Sequence, residues 1–299
     1  MRLFRRGVRG ACLALPLVAA TVAAQGGAGT VGLEVLQYSG SVRGVGLNGA
    51  GAAIVGDAGA IFSNPAAIAT IHHIGLEGAF HQFPGSERLA TGALAWRLAQ
   101  FDLGVGLEYL DLSTGAAGPG AYSTRGVGAL VYRFGFLALG ASASAVRQKV
   151  GGVEQRALGG DLGVAIPVFD IMALGFSMQN VSGNWDKTSS LVLPGLSRLG
   201  FTMNYTDPEE SFRLLSTVEV QWPEAQSARL VVGGEGGLVL SGVGLVGRVA
   251  YGSSADLSGR KGVTYGGSVQ FGVAEFDYAY DPGNRAGDIG HHLGLRITL

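Results

Sequence analysis

The sequence predicts an all-β protein: a transmembrane, antiparallel, up-and-down β-barrel of about 14 strands with an N-terminal hatch in its lumen. Three observations carry that expectation. Apolar residues alternate with small or polar ones at a period of two across most of residues 74–299, as in Phe101-Asp102-Leu103-Gly104-Val105-Gly106-Leu107-Glu108-Tyr109. Mean hydropathy is +0.31, yet beyond the N-terminus no apolar run approaches the ~20 residues that a membrane helix needs. Short breaks alternate with longer ones, which is the rhythm of tight turns at one rim and loops at the other.

The N-terminus sets the compartment. Arg2, Arg5, Arg6 and Arg9 precede an apolar run from Ala11 to Ala24, and Val22-Ala23-Ala24 offers small residues before Gln25. This is the layout of a secretory signal peptide, assigned to residues 1–24. Cys12, the single cysteine, lies inside it, so the processed chain is expected to carry no disulfide, thiol nucleophile or cysteine metal site. Export of a barrel implies the outer membrane of a diderm bacterium.

Residues 25–73 form the expected hatch. The stretch from Ser41 to Ala69 breaks the alternation and is rich in Ala and Gly with few charges, so it reads as short helical turns and coil packed somewhere dry and narrow. Asn64-Pro65 reads as a turn and helix-breaking signal. Arg43 and Asp57 are placed to pair with lumen charges.

Residues 74–299 form the expected barrel. Tight turns are read near Ala99-Gln100, Phe134-Gly135, Phe169-Asp170, Pro208-Glu209, Ser241-Gly242 and Ala274-Glu275. Longer loops are read at Ser113–Ser123, Gly151–Gln155, Ser182–Pro194, Trp222–Gln226, Gly252–Gly262 and Asp281–Gly290. The strands between them have the ~9–11 residues that cross an outer membrane when tilted. Leu94, Trp96, Leu98, Leu199, Phe201, Val218, Val249, Phe276 and Tyr278 face outward in this reading. Aromatics such as Trp96, Phe101, Tyr109, Trp222, Tyr251 and Tyr280 gather near strand ends, like two interfacial girdles. A soluble sandwich with an aromatic core is the competing arrangement. The inward face is small or charged: Glu77, Arg97, Asp102, Glu108, Asp161, Arg213, Glu219, Glu235, Arg248 and Arg296. Both signs occur in similar number, which suits ion pairs holding plug to wall rather than a one-signed selectivity ring. Glycine, 52 of 299 residues, narrows that wall.

Other function classes find little footing. Net charge is −1 and only 14% of residues are charged, so nucleic acid is not an expected partner. Gly44-Val45-Gly46-Leu47-Asn48-Gly49 matches G-x-G-x-x-G without the strand–turn–helix context that gives it meaning. His72-His73 and His291-His292 are adjacent residues that point to opposite faces of a strand, which disfavours metal chelation by either pair. His81 is read as the one histidine inside a strand, and no G-x-S-x-G occurs. No catalytic residue, cofactor or metal site is expected.

The hatch segment also carries a family resemblance. Arg43, Leu47, Gly49 and Ala50, then Asp57, then Asn64-Pro65-Ala66, resemble the N-terminal signature of the PorV/PorQ branch of the FadL-like outer-membrane barrels. Later landmarks follow in order: Asp161-Leu162-Gly163, Gln179-Asn180-Val181, Leu193-Pro194 with Leu199-Gly200, Asp277-Tyr278-Ala279-Tyr280, and Gly290-His291-His292-Leu293-Gly294-Leu295. The resemblance implies a fourteen-strand barrel with an N-terminal hatch, in which Arg43, Gly49, Asp57, Asn64, Pro65 and Ala66 serve structure or gating. It implies one of two roles. The first is partnership with type IX-like secretion proteins and their surface cargo; the second is FadL-like uptake of hydrophobic small molecules. A structural barrel without transport is the third possibility.

Overall fold

A computed structural model describes residues 34–83, 87–114, 117–168, 171–206, 211–224, 226–259, 261–283 and 289–299. The signal peptide expected at 1–24 and the turns expected at Phe169-Asp170 and Pro208-Glu209 lie outside the described residues. Fourteen strands follow the N-terminal segment: β1 (Ile74–Gln82), β2 (Arg88–Leu98), β3 (Phe101–Asp111), β4 (Tyr122–Arg133), β5 (Ala138–Val150), β6 (Val153–Val168), β7 (Met172–Gln179), β8 (Leu196–Thr206), β9 (Phe212–Pro223), β10 (Arg229–Leu240), β11 (Val243–Gly252), β12 (Gly262–Phe271), β13 (Ala274–Asp281) and β14 (Gly290–Thr298). Each pairs antiparallel with its sequence neighbours, and β1 pairs with β14 to close the barrel.

The period of two now has a physical meaning on each face. In β3, Val105, Leu107 and Tyr109 are exposed while Asp102 and Glu108 are buried. A wall whose large apolar side chains point outward and whose carboxylates point inward has been turned inside out for lipid. The outward-facing set read from sequence lies on that exterior. Aromatics ring both rims, with Phe101 against Tyr132 at one and Tyr109 against Tyr122 at the other.

Several boundaries differ from the sequence reading. Trp222 and Pro223 belong to β9, and Tyr122 and Ser123 to β4. Gly151–Gln155 is no longer loop: Gly151-Gly152 alone makes the turn, both residues at positive φ, and Val153 already opens β6. Two consecutive left-handed residues match the twist of a hairpin, and glycine takes that conformation without strain. The turn placed at Ala274-Glu275 sits instead at Gly272-Val273, where Gly272 supplies the positive φ. Strand lengths run from 8 residues in β7 to 16 in β6, wider than the even 9–11 expected. The reason lies in the chain after β7. Residues 180–195 lean on β6, with Val181 N–H donating to the Gly160 carbonyl and Trp185 N–H to that of Leu158. β7 pairs with β6 only from Met178 down to Met172.

Residues 34–71 pack against the inner face of the barrel wall, and His72 and His73 are exposed beside the end of β14. Helix α1 (Val42–Gly46) packs against β11–β14, while short 3-10 turns at Ala58–Phe62 and Pro65–Thr70 pack against β1–β6. Asn64-Pro65 starts a helical turn rather than breaking one. The Asn64 carboxamide accepts from Ala66 N–H, and Pro65 occupies the first helical position, where its missing donor costs nothing. The wall meets this segment at close range. A Cβ on Gly175 would strike the Ala52 carbonyl, and one on Gly140 would strike the Pro65–Ala66 backbone. The glycine content of the inner wall is thus partly the imprint of the chain it encloses.

Candidate functional site

The lumen divides into an apolar mouth, a narrow cavity beneath it, a charged latch and a wider cavity at the turn-side rim. Val35 of the N-terminal segment joins Phe83, Leu89, Leu110, Leu191 and Leu193 in a buried cluster at the loop-side mouth. The Tyr38 and Phe83 rings stack with centroids 3.9 Å apart. Leu191 and Leu193 reach this cluster because Asn180 at the end of β7 anchors the loop: its carboxamide N–H donates to the Pro194 carbonyl and its backbone N–H to Asp161. Three landmarks from successive segments therefore meet at one corner.

Below the mouth, Leu36, Tyr38, Phe62 and Leu196 share a cavity with Arg125, Gln179 and Arg198. Its empty space is about 730 Å³ including its opening, but its water-accessible volume is only about 50 Å³, room for a few water molecules. The turn-side cavity, bordered by Ile171, Met172, Asn204, Arg213 and Glu275, has a water-accessible volume of about 530 Å³. Arg43, Ile54 and Asp57 line both.

The latch is built from these residues. Arg43 donates from Nε and Nη2 to the two Glu235 oxygens at 2.7 and 2.6 Å, and from Nη1 to Asp57 at 2.7 Å. Arg296 donates from Nη1 to the other Asp57 oxygen at 2.7 Å and from Nε to Asp277 at 2.7 Å. Arg248 joins Glu235 to Asp277 at 2.7 and 2.8 Å, and Glu275 accepts from Arg296 at 2.6 Å. Such two-pronged guanidinium–carboxylate bonds fix geometry as well as charge. Burial opposes charge on Asp57, but Arg296 and Arg43 outweigh it and hold the carboxyl well below the usual carboxylate range. Burial likewise opposes charge on Arg43, and Glu235 and Asp57 raise its pKa above the ordinary value.

Two further seats hold the segment. Glu219 accepts the backbone N–H groups of Gly51 and Ala52 at 2.8 and 2.7 Å, while Arg198 spans Glu219 and the Gly49 carbonyl. Gly49 has φ of +81° and follows Asn48, also at positive φ. Buried Arg229 donates to the Asn48 carbonyl and side chain. Glu77 accepts from Gly59 N–H at 2.8 Å.

The remaining inward charges pair mainly within the wall, although Arg97 also donates to the Ala69 carbonyl of the N-terminal segment at 2.5 Å. Arg125 lies between Glu108 and Asp161 at 3.4 and 3.0 Å. Arg97 and Arg133 flank Asp102. Arg213 borders the turn-side cavity, apart from the Glu108 group. The structure thus gathers Arg43, Asp57, Glu235, Arg248 and Arg296 into one network, and it places Asn64, Pro65 and Ala66 against β5 and β6.

Sequence reasoning missed Arg125, Arg198, Arg229, Glu275 and Asp277. Their signal was present, since each sits at an inward position of its strand's alternation. Register would have found their partners: Glu108 faces Arg125, and Glu275 faces Arg296. Histidine also behaves differently from expectation. His291 and His292 both lie within β14. His292 points inward, where its Nδ1 meets His81 Nδ1 at 3.1 Å across the β1–β14 seam. Among the described residues no group of three or more metal-ligating side chains converges.

No family model and no curated protein matches the sequence. Solved structures do match in fold. The CymD monoaromatic hydrocarbon channel is 14% identical, covering 86% of this chain and 96% of that one, with TM-score 0.61. The Pseudomonas putida toluene transporter TodX is 13% identical, covering 88% and 97%, with TM-score 0.56. A Pseudomonas aeruginosa FadL homologue is 14% identical, covering 86% and 97%, with TM-score 0.54. At these identities the likeness is one of fold: the chain shares with them a closed antiparallel barrel. The narrower PorV/PorQ resemblance rests on residue order alone.

Proposed function

We propose that the protein is an outer-membrane conduit for hydrophobic small molecules, held closed in this conformation by its N-terminal segment. The observation that carries this reading is the order of compartments along the lumen. An apolar mouth leads to a cavity too tight for an organic solute, and the Arg43–Asp57–Glu235 latch separates that cavity from a wide one at the opposite rim. A general aqueous pore would not carry an apolar mouth. The shared fold with monoaromatic hydrocarbon channels supports the same direction. Mouth residues such as Tyr38, Phe83 and Leu193 would receive the solute, and displacement of residues 43–57 would let it pass. The role is transport rather than catalysis.

The test is flux through the full chain reconstituted in liposomes with a lipopolysaccharide outer leaflet, whose hydrated sugars slow the unaided entry of toluene. Radiolabelled toluene should equilibrate faster than in empty liposomes, with no gain for glucose of similar size. Equal gains for both solutes, or none for toluene, would overturn the reading. Co-purification of secretion-system proteins or surface cargo, with no toluene flux, would favour the PorV/PorQ role instead.

A further inference from the structure

Cations on the lipid-facing wall contrast with those in the lumen. Arg147 on β5 and Arg156 on β6 stand directly opposite each other in register, and both point outward. Their side chains are 48% and 66% exposed. Like charges directly opposite on one sheet face are destabilising. Glu154, the carboxylate that reaches them among the described residues, does so through one oxygen at 3.4 and 3.5 Å. Lys149 lies on the same face opposite Glu154. Lys187, exposed on the neighbouring loop, donates to the Asn184 carbonyl. In the lumen, by comparison, Arg43, Arg248 and Arg296 each reach two or more carboxylates.

The height of this patch identifies its surroundings. Arg147 precedes the Gly151-Gly152 turn by four residues and Arg156 follows it by four, which puts both close to the loop-side rim. Tyr109 stacks on Tyr122 in the aromatic belt of the loop-side rim, so the cations sit at headgroup depth. Around β11–β14 the same belt is built from Tyr251, Tyr265, Tyr280 and His291 instead. Directly below the cations the wall is smooth, because outward Ala143, Ala145, Gly126 and Gly128 form a shallow trough. Leu158 and Leu162 border it, and the Trp185 ring covers the outward side of Gly160. A cationic head over an apolar trough is complementary to a phosphorylated amphiphile.

We propose that Arg147, Lys149 and Arg156 bind the phosphate of an anionic lipid in the leaflet at the long-loop rim, with its acyl chains along the β4–β6 trough. Guanidinium groups recognise phosphate oxygens in two-pronged fashion, and the lipid phosphate relieves the repulsion that Glu154 balances only in part. The proposal rests on the membrane-spanning reading of the barrel and not on the transport reading.

The full chain in phosphatidylcholine nanodiscs doped with diphosphoryl lipid A, read by native mass spectrometry, tests it. The R147Q/R156Q variant should bind this lipid about tenfold more weakly. Glu154→Gln should bind it more tightly, a gain that a merely structural role would not produce. Salt should weaken the wild-type complex. Dephosphorylated lipid and inorganic phosphate should not distinguish wild type from variant. If R147Q/R156Q fails to fold, Lys149→Gln and Glu154→Gln should still shift affinity in opposite directions. Equal lipid affinity across the folded variants would overturn the proposal while leaving transport untouched. Failure of the wild type to enter nanodiscs would overturn both, and toluene flux without lipid discrimination would overturn this one alone.

Discussion

Single side chains in the lumen carry large consequences because their charges have nowhere else to go. Removing Arg43 would leave Glu235 and Asp57 buried with part of their compensation gone. Breaking a buried pair costs about 3–5 kcal/mol, so Arg43→Ala should lower the urea midpoint measurably or release the segment and admit polar solutes. Liposome swelling with glucose separates those two outcomes. Asp57 adds a pH dependence. Its folded pKa lies below the ordinary value, so the stability it contributes is fully present above the unfolded pKa of about 3.9. That contribution is lost as pH falls through the lowered folded value. The Asp57-dependent part of toluene or glucose flux, read as the difference between wild type and Asp57→Asn, should therefore be flat from neutral pH down to about 4 and change only in stronger acid.

The short elements inside the barrel are held by contacts with the wall more than by propensity. Helix α1 has only five residues, far below the ~12–15 at which an isolated helix becomes even marginal. Its neighbours on β11–β14 and the Arg43 bonds define it. The turn at Pro65–Thr70 has more local encoding, through Asn64 and Pro65. Asn64 also donates to the Ala52 and Val164 carbonyls, so Asn64→Ala should cost more than the roughly 1 kcal/mol of a lost cap alone. Protease accessibility of residues 50–70 measures that loosening. Gly175→Val is a sharper probe of the same packing. Its side chain would occupy the place of the Ala52 carbonyl, so the wall should close normally while the segment is displaced. Limited proteolysis of the segment, with an unshifted heat-modified gel band, would show it.

At the scale of the whole molecule, the exterior belongs to lipid. Leu107 is 70% exposed at the middle of β3. Arginine at such a depth costs about 2–4 kcal/mol, so Leu107→Arg should destabilise the barrel in bilayers, whereas in a water-facing wall the same change would be nearly neutral. Urea unfolding in lipid vesicles reads the difference. Alternation along β3 already encoded this exterior, and the rhythm of short and long breaks encoded about fourteen strands, because period and turn chemistry are local properties of the chain. The inward positions of Glu108, Glu235 and Arg296 were legible for the same reason. Which charge meets which was not. Arg43 reaches Glu235 across 192 residues, and His81 reaches His292 across 211. The seats of Gly51 and Ala52 on Glu219 likewise depend on where the segment rests in the closed barrel. Sequence by itself determined strand faces, the belt of aromatics and the departure of the first 73 residues from that pattern, all of which follow from local periodicity and composition. Closure of β1 on β14, the depth of the segment and the separation of the loop-side from the turn-side cavity were decided only by the tertiary structure, since each depends on the register of strands distant in sequence.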